Sequence, residues 1–215
     1  MTRKTTLIFI LLILLALTGV GVYYYPYLPA QVATHWSAAG EVNGYMGKFW
    51  GLFLLPIMAV VIAGFMFLLP KIDPLRRNIE SFQKEYNLLI LTVVVLLAYL
   101  QILMLVWNLG MRFDFTRFVG VALGAMFFVI GLILPKTKRN WWVGIRTPWT
   151  LSSDKVWERV HRHGGKLFKA VGVAAIVGSF WGAKGLIAAV VLVVAASMWL
   201  SVYSYLVFRQ EKKII

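Results

Sequence analysis

The chain has 215 residues, of which 60% are hydrophobic and 14% charged, with no cysteine and a formal net charge of +14. So apolar a composition with so few charges excludes an ordinary soluble domain. The lack of cysteine excludes a disulfide framework, a thiolate metal site and a dithiol redox pair.

Apolar residues recur in six runs: Leu7–Tyr25, Phe49–Leu69, Asn87–Leu109, Phe118–Pro135, Leu167–Ala183 and Gly185–Phe208. Each is close to the ~20 residues a helix needs to cross a hydrocarbon core. A backbone in lipid must satisfy its own hydrogen bonds, so helices are expected throughout. The expected fold is all-α and polytopic, with six transmembrane helices. The first run follows "MTRK" and is longer than a signal-peptide core, with no small-x-small cleavage site behind it; it reads as a retained anchor.

Pro26 and Pro29 end the first run, and the outer loop 26–48 carries turn signals in "AAGE" and "NG". The second run ends at "LLPKIDPLRRN" and the fourth at "LILPKTKRN", so a proline followed by a basic cluster is expected to stop each helix at the inner interface. Runs five and six meet at "GAKG", which requires an antiparallel helical hairpin. With the N-terminus inside, the inner segments hold all Lys and Arg except Lys48, Arg112, Arg117 and Lys184. That bias places both termini in the cytoplasm. It assigns the positive charge to topology and to anionic membrane lipids rather than to direct nucleic-acid binding.

No Asp, Glu, Arg or His falls within the six runs. Mid-membrane ionisable groups cost about 2.5–3.5 kcal/mol and mark ion or proton paths, so an ion-coupled transporter is disfavoured. Gln101 is the conspicuous polar group, read as an interhelical hydrogen-bonding residue.

The inner loop is richer. "TLSSDKVWERVHRHGG" has Ser152 or Ser153 as a helix cap, Asp154 in the first turn, and Gly164-Gly165 as a stop. Val156, Trp157, Val160 and Gly164 share one face with His161 at its edge, while Lys155, Glu158, Arg159 and Arg162 lie opposite. A short amphipathic interfacial helix is expected between spans four and five. His161 reads either as a buried, hydrogen-bonded histidine or as a ligand- or pH-sensing group. Upstream, "NWWVGIRTPWT" forms a bent strap, since the residue before Pro148 is pushed to extended geometry. Arg146 lies among Trp141, Trp142 and Trp149; it either snorkels to lipid phosphate or is held by stacking and presents its fork to a partner.

Catalysis and metal binding lack their parts. Glu158-x-x-His161 occurs once, whereas carboxylate-bridged metal sites need a second copy. His35 falls on the opposite side from His161 and His163, so no three-His zinc site is expected. No phosphate loop, nucleophile elbow or His-Glu-x-x-His motif is present. The expectation is a non-enzyme without cofactor or metal.

"GIRTPWTLSSDKVWERVHRHGG", preceded by Asn140 and followed by a helical hairpin, resembles the signature of the SdpI/YfhL family of bacterial membrane proteins. "LPAQVATHWSAAGEVNGYMGK" resembles the short companion domain of unknown function found with it. The resemblance covers nearly the whole chain. It implies an N-terminal membrane region, 1–112, and an SdpI-like region, 113–215, with the signature loop at 136–166. The implied function is immunity: protection against a secreted, membrane-active peptide toxin, with recruitment of a cytosolic repressor to the membrane as a signalling role. The inner positions implied are Asn140, Gly144, Arg146, Thr147, Pro148, Trp149, Trp157 and His161, for partner contact or structure. Outside they are Leu28, Pro29, His35, Gly40 and Lys48, beside which Trp36 and Tyr45 are candidate toxin contacts. The competing expectation is a structural or envelope-stress membrane protein without a cognate toxin; a small-molecule or lipid transporter comes after it. Oligomeric state is left open.

Overall fold

A computed structural model describes residues 1–212. Lys213, counted above among the inner basic residues, lies outside them. In chain order the elements are α1 (Arg3–Tyr24), β1 (Gln31–Trp36), β2 (Val42–Gly47), α2 (Lys48–Ile72), α3 (Arg76–Ser81) and α4 (Gln83–Asn108). They continue with α5 (Phe115–Ile133), α6 (Pro148–Ser152), α7 (Asp154–Gly178) and α8 (Ala183–Lys212). The protein is a mostly helical, multi-pass membrane protein. Five helices, α1, α2, α4, α5 and α8, are long and apolar enough to cross a membrane. Their lengths follow from apolar runs that leave no backbone group needing water.

Three expectations are corrected. The fold is not purely helical, because the outer loop folds as an antiparallel β-hairpin. "AAGE" makes its turn, with Gly40 at φ +83°. "NG" does not turn the chain: Asn43 and Gly44 lie within β2, beside a register shift opposite His35.

Second, Gly164-Gly165 does not stop a helix. The expected short interfacial helix and the fifth apolar run are one 25-residue helix, α7. Arg162, Lys166 and Lys169 fall within its last 18 residues, which keeps it out of the set of five apolar enough to span. Glycines are spent on packing here. A Cβ on Gly165 would stand 2.8 Å from the Gly131 carbonyl oxygen of α5, and one on Gly172 would stand 2.6 Å from the Phe128 nitrogen. From α5, a Cβ on Gly124 would approach the Gly172 oxygen to 2.7 Å. Small residues at these positions let the two backbones touch, as lipid-embedded helices require when no hydrophobic force drives them together.

Third, Pro70 lies inside α2 rather than ending it. The helix stops at Ile72 because Asp73 precedes Pro74 and adopts extended geometry, φ −74°, ψ 124°. Pro26 and Pro135, by contrast, do close their helices in short 3-10 turns.

The bundle has two ends. One collects the start of α1, α3, the 134–147 strap, α6 and the end of α8; Asn78 Nδ2 donates to the Arg139 carbonyl at 2.7 Å, and Ser153 Oγ to Glu211 Oε2 at 2.7 Å. The other holds the hairpin, the end of α4 and the start of α5, where Trp36 stacks on Phe115 at 3.7 Å.

Candidate functional site

The strap is built around one asparagine. Asn140 is fully buried, and its Oδ1 accepts from the Trp142 and Val143 nitrogens at 2.9 and 2.7 Å. Its Nδ2 donates to the Lys138 and Val143 carbonyls at 2.8 and 2.9 Å. A side-chain amide thus replaces the pairing that an irregular buried backbone lacks. Asp73 anchors the same turn from the α2–α3 link: its Oδ2 accepts from the Trp141 nitrogen at 2.9 Å.

Beyond it the chain crosses the face of α7. Gly144 sits at φ +122°, and a Cβ there would collide with His161 Nε2 and come within 3.1 Å of the Trp157 ring. The next nitrogen, that of Ile145, donates to His161 Nε2 at 2.8 Å. The other ring nitrogen, Nδ1, donates to the Trp157 carbonyl at 2.8 Å, so both nitrogens are used and the ring is the neutral Nδ1–H tautomer. Trp157 stacks on His161 with ring centroids 4.0 Å apart, and its Nε1 donates to the Thr137 carbonyl at 3.2 Å. Burial lowers the His161 pKa to about 4, against a smaller raising effect from its bond to Trp157.

Thr147 then caps α6. Its hydroxyl accepts from the Thr150 nitrogen at 3.2 Å, Thr150 Oγ1 accepts from the Thr147 nitrogen at 2.9 Å, and Pro148 occupies the first turn. Thr147 Oγ1 also hydrogen-bonds Ser204 Oγ of α8 at 2.9 Å, and Trp149 packs on Tyr205. Of the inner candidates, Asn140, Gly144, Thr147, Trp157 and His161 therefore hold one another. Arg146 stays outside: it is exposed and its Nη1 donates to the Trp141 carbonyl. Of its two readings, snorkelling or stacking, the stacked one has no cation–π contact among the described residues.

The outer candidates divide in the same way. Leu28 is buried against Val32, Leu52 and Leu105. Lys48 lies 4.5 Å over the Tyr25 ring, Gly40 makes the turn, and Trp36 is wedged between Phe115 and Trp107. His35 and Tyr45 are exposed, with His35 Nδ1 on Asn43 Oδ1, and Pro29 is exposed too. The hairpin is fixed to α4 by Asn108, whose Oδ1 accepts from the Ala33 nitrogen at 2.8 Å while Nδ2 donates to the Ala33 carbonyl at 2.9 Å.

Sequence reasoning did not single out Asp73, Asn78, Ser204 or Asn108. Only their position, a short polar side chain at a helix end or in an apolar run, marks them. Gln101 behaves as expected: it is buried, and Nε2 donates to the Gly51 carbonyl at 3.4 Å. Among the described residues no group of three or more His, Asp or Glu could hold a metal ion.

Comparison with known proteins matches residues 136–204, which hold all but the first two residues of the strap, α6 and α7, to the SdpI/YfhL protein family. That segment is about a third of the chain, and over it the chain is similar to the SdpI/YfhL family. Residues 12–60, which hold the hairpin, match a domain of unknown function, DUF1648. The chain is similar to the immunity protein SdpI of Bacillus subtilis (strain 168), 26% identical over 212 residues, 97% of each chain. No solved structure matches this chain.

Proposed function

We propose that this chain is an immunity protein of the plasma membrane, protecting its cell against a secreted, membrane-active peptide toxin. The observation that carries this reading is the likeness to an immunity protein over 97% of both chains. In this reading the sixth span is the fifth apolar run, residues 167–183, whose helical part packs along α5 on close glycine contacts, while the turns of α7 before it, with His161, stand at the cytoplasmic face. The strap end, with its basic excess, faces the cytoplasm together with both termini. Residues 1–112 and 113–215 form the two membrane regions.

The hairpin end meets the toxin, and His35, Tyr45 and Pro29 are the outer candidates open to it. Leu28, Trp36, Gly40 and Lys48 shape the hairpin rather than touch a ligand. On the inner side, Lys155, Arg159 and Arg162 project from α7 opposite its buried face and form the surface for a cytosolic repressor. The strap holds that helix in place and does no chemistry.

The test is challenge of toxin-sensitive cells expressing the chain. Survival is expected from the wild type, and from a Lys155→Glu/Arg159→Glu variant, since those residues serve signalling alone. Sensitivity unchanged by membrane-inserted wild type would refute immunity. Loss of protection in the charge variant at normal protein level would refute the division between the two faces.

A further inference from the structure

Four helix ends converge on a cavity of about 220 Å³ at the strap end: the start of α1, the end of α2, α3 and the start of α4. Its floor is apolar, formed by Phe67, Pro70 and the ring of Tyr86, and its rim carries Arg3, Lys71 and Arg76. Arg3 lies over the Phe67 ring, 5.3 Å from its centroid. Arg76 is already matched, with Nε 2.9 Å from Glu80 Oε1. Arg3 and Lys71 make no ion pair among the described residues, so the cavity keeps two unneutralised cations above an apolar floor.

Depth decides what such a cavity holds. Exposed apolar side chains begin about a turn from the rim at Leu7 on α1, and on α2 they include Leu68 and Ile72, beside Lys71. The cations therefore stand where the apolar surface of the bundle ends, the level of phospholipid headgroups. A soluble anion would use the rim and leave the floor bare. A lipid would use both, since a basic rim beside an apolar surface matches a phosphate joined to a glycerol and its acyl chains.

The geometry points to a discrete binding site for an anionic phospholipid, with Arg3 and Lys71 donating to the phosphate and Phe67 and Pro70 lying under the glycerol and acyl portion. It differs from general attraction of a basic surface to the membrane, because it names two cations among many. The basic residues Lys138 and Lys155 line another cavity at the same end. Arg139 lines it too, but Asp154 and Glu158 share the wall, which leaves one net positive charge there against two in the first cavity.

Native mass spectrometry of the full chain in detergent tests this, with phosphatidylglycerol and phosphatidylcholine of identical acyl chains as probes. The wild type should retain one phosphatidylglycerol with roughly 25-fold preference, at about fivefold for each of the two cations. Arg3→Gln/Lys71→Gln should abolish most of that preference, whereas Lys138→Gln/Lys155→Gln should keep it. All four side chains are exposed, and circular dichroism checks that each variant is folded; the single Lys71→Gln variant should show the smaller, intermediate loss. No preference in the wild type, an undiminished preference in the Arg3/Lys71 variant, or an equal loss in the Lys138/Lys155 variant overturns the site. Excess glycerol phosphate should leave the bound lipid in place; if it displaces the lipid, the cavity takes soluble phosphate and the lipid assignment is wrong.

Discussion

His161 is the residue on which the strap closes. Its Nε2 accepts the Ile145 amide, which only a neutral ring can do, and burial holds its pKa near 4 against an ordinary 6.5. Between those values the unfolded or detached strap binds more protons than the closed one. Stability from this contact is therefore complete above about pH 6.5 and is lost as pH falls toward 4. Hydrogen exchange of the 140–150 segment should accelerate over that window, with little change between pH 7 and 8. If His161→Gln gave the same pH profile, the histidine would not be the group responsible. Both histidine readings had been open from sequence, because a lone His beside a Trp at i, i+4 looks the same whether its nitrogens are free or used. Gly144 resolves the ambiguity in space: its positive φ and missing Cβ bring the backbone onto the ring.

At the scale of elements, the pairing of α5 with α7 organises the C-terminal part of the bundle. The small residues of run five were legible as a packing stripe, but not their partners. Gly165 read as a helix stop because a glycine pair at the end of an amphipathic pattern is the usual signal for one. Contact with α5 overrides that signal, since an intact helix keeps its hydrogen bonds in an environment where water cannot replace them. Gly172→Leu places a branched side chain where even a Cβ would stand 2.7 Å from the Gly124 carbonyl. Overpacking of this kind costs about 1–3 kcal/mol. A lowered thermal midpoint in detergent should report it, while Ala170→Leu, on an exposed position of the same helix, should change little. Equal midpoints for the two variants would mean that the seam is not tight.

At the scale of the whole molecule, the chain contains no cysteine, so single introduced cysteines can map its sidedness without background. Ala39→Cys in the hairpin turn should react with an impermeant maleimide on intact cells. Lys155→Cys should react only after permeabilisation, and so should Arg76→Cys. Labelling of Lys155→Cys from outside would place the strap and the start of α7 on the wrong side.

The sequence by itself determined that this is a helical membrane protein, where the apolar runs lie, and how its basic residues are distributed. It also marked the amphipathic face of Val156, Trp157 and Val160. Those properties depend on composition and on spacing along one chain, which hydropathy and helical periodicity report directly. Tertiary structure alone decided that the outer loop is a hairpin held by Asn108, that the surface helix and the fifth run are continuous, and that most signature residues bond to one another. Each of those rests on contacts between segments far apart in sequence, Ala33 with Asn108, Gly131 with Gly165, Thr147 with Ser204. A single sequence records the donor and acceptor types of such pairs, but not which of them meet.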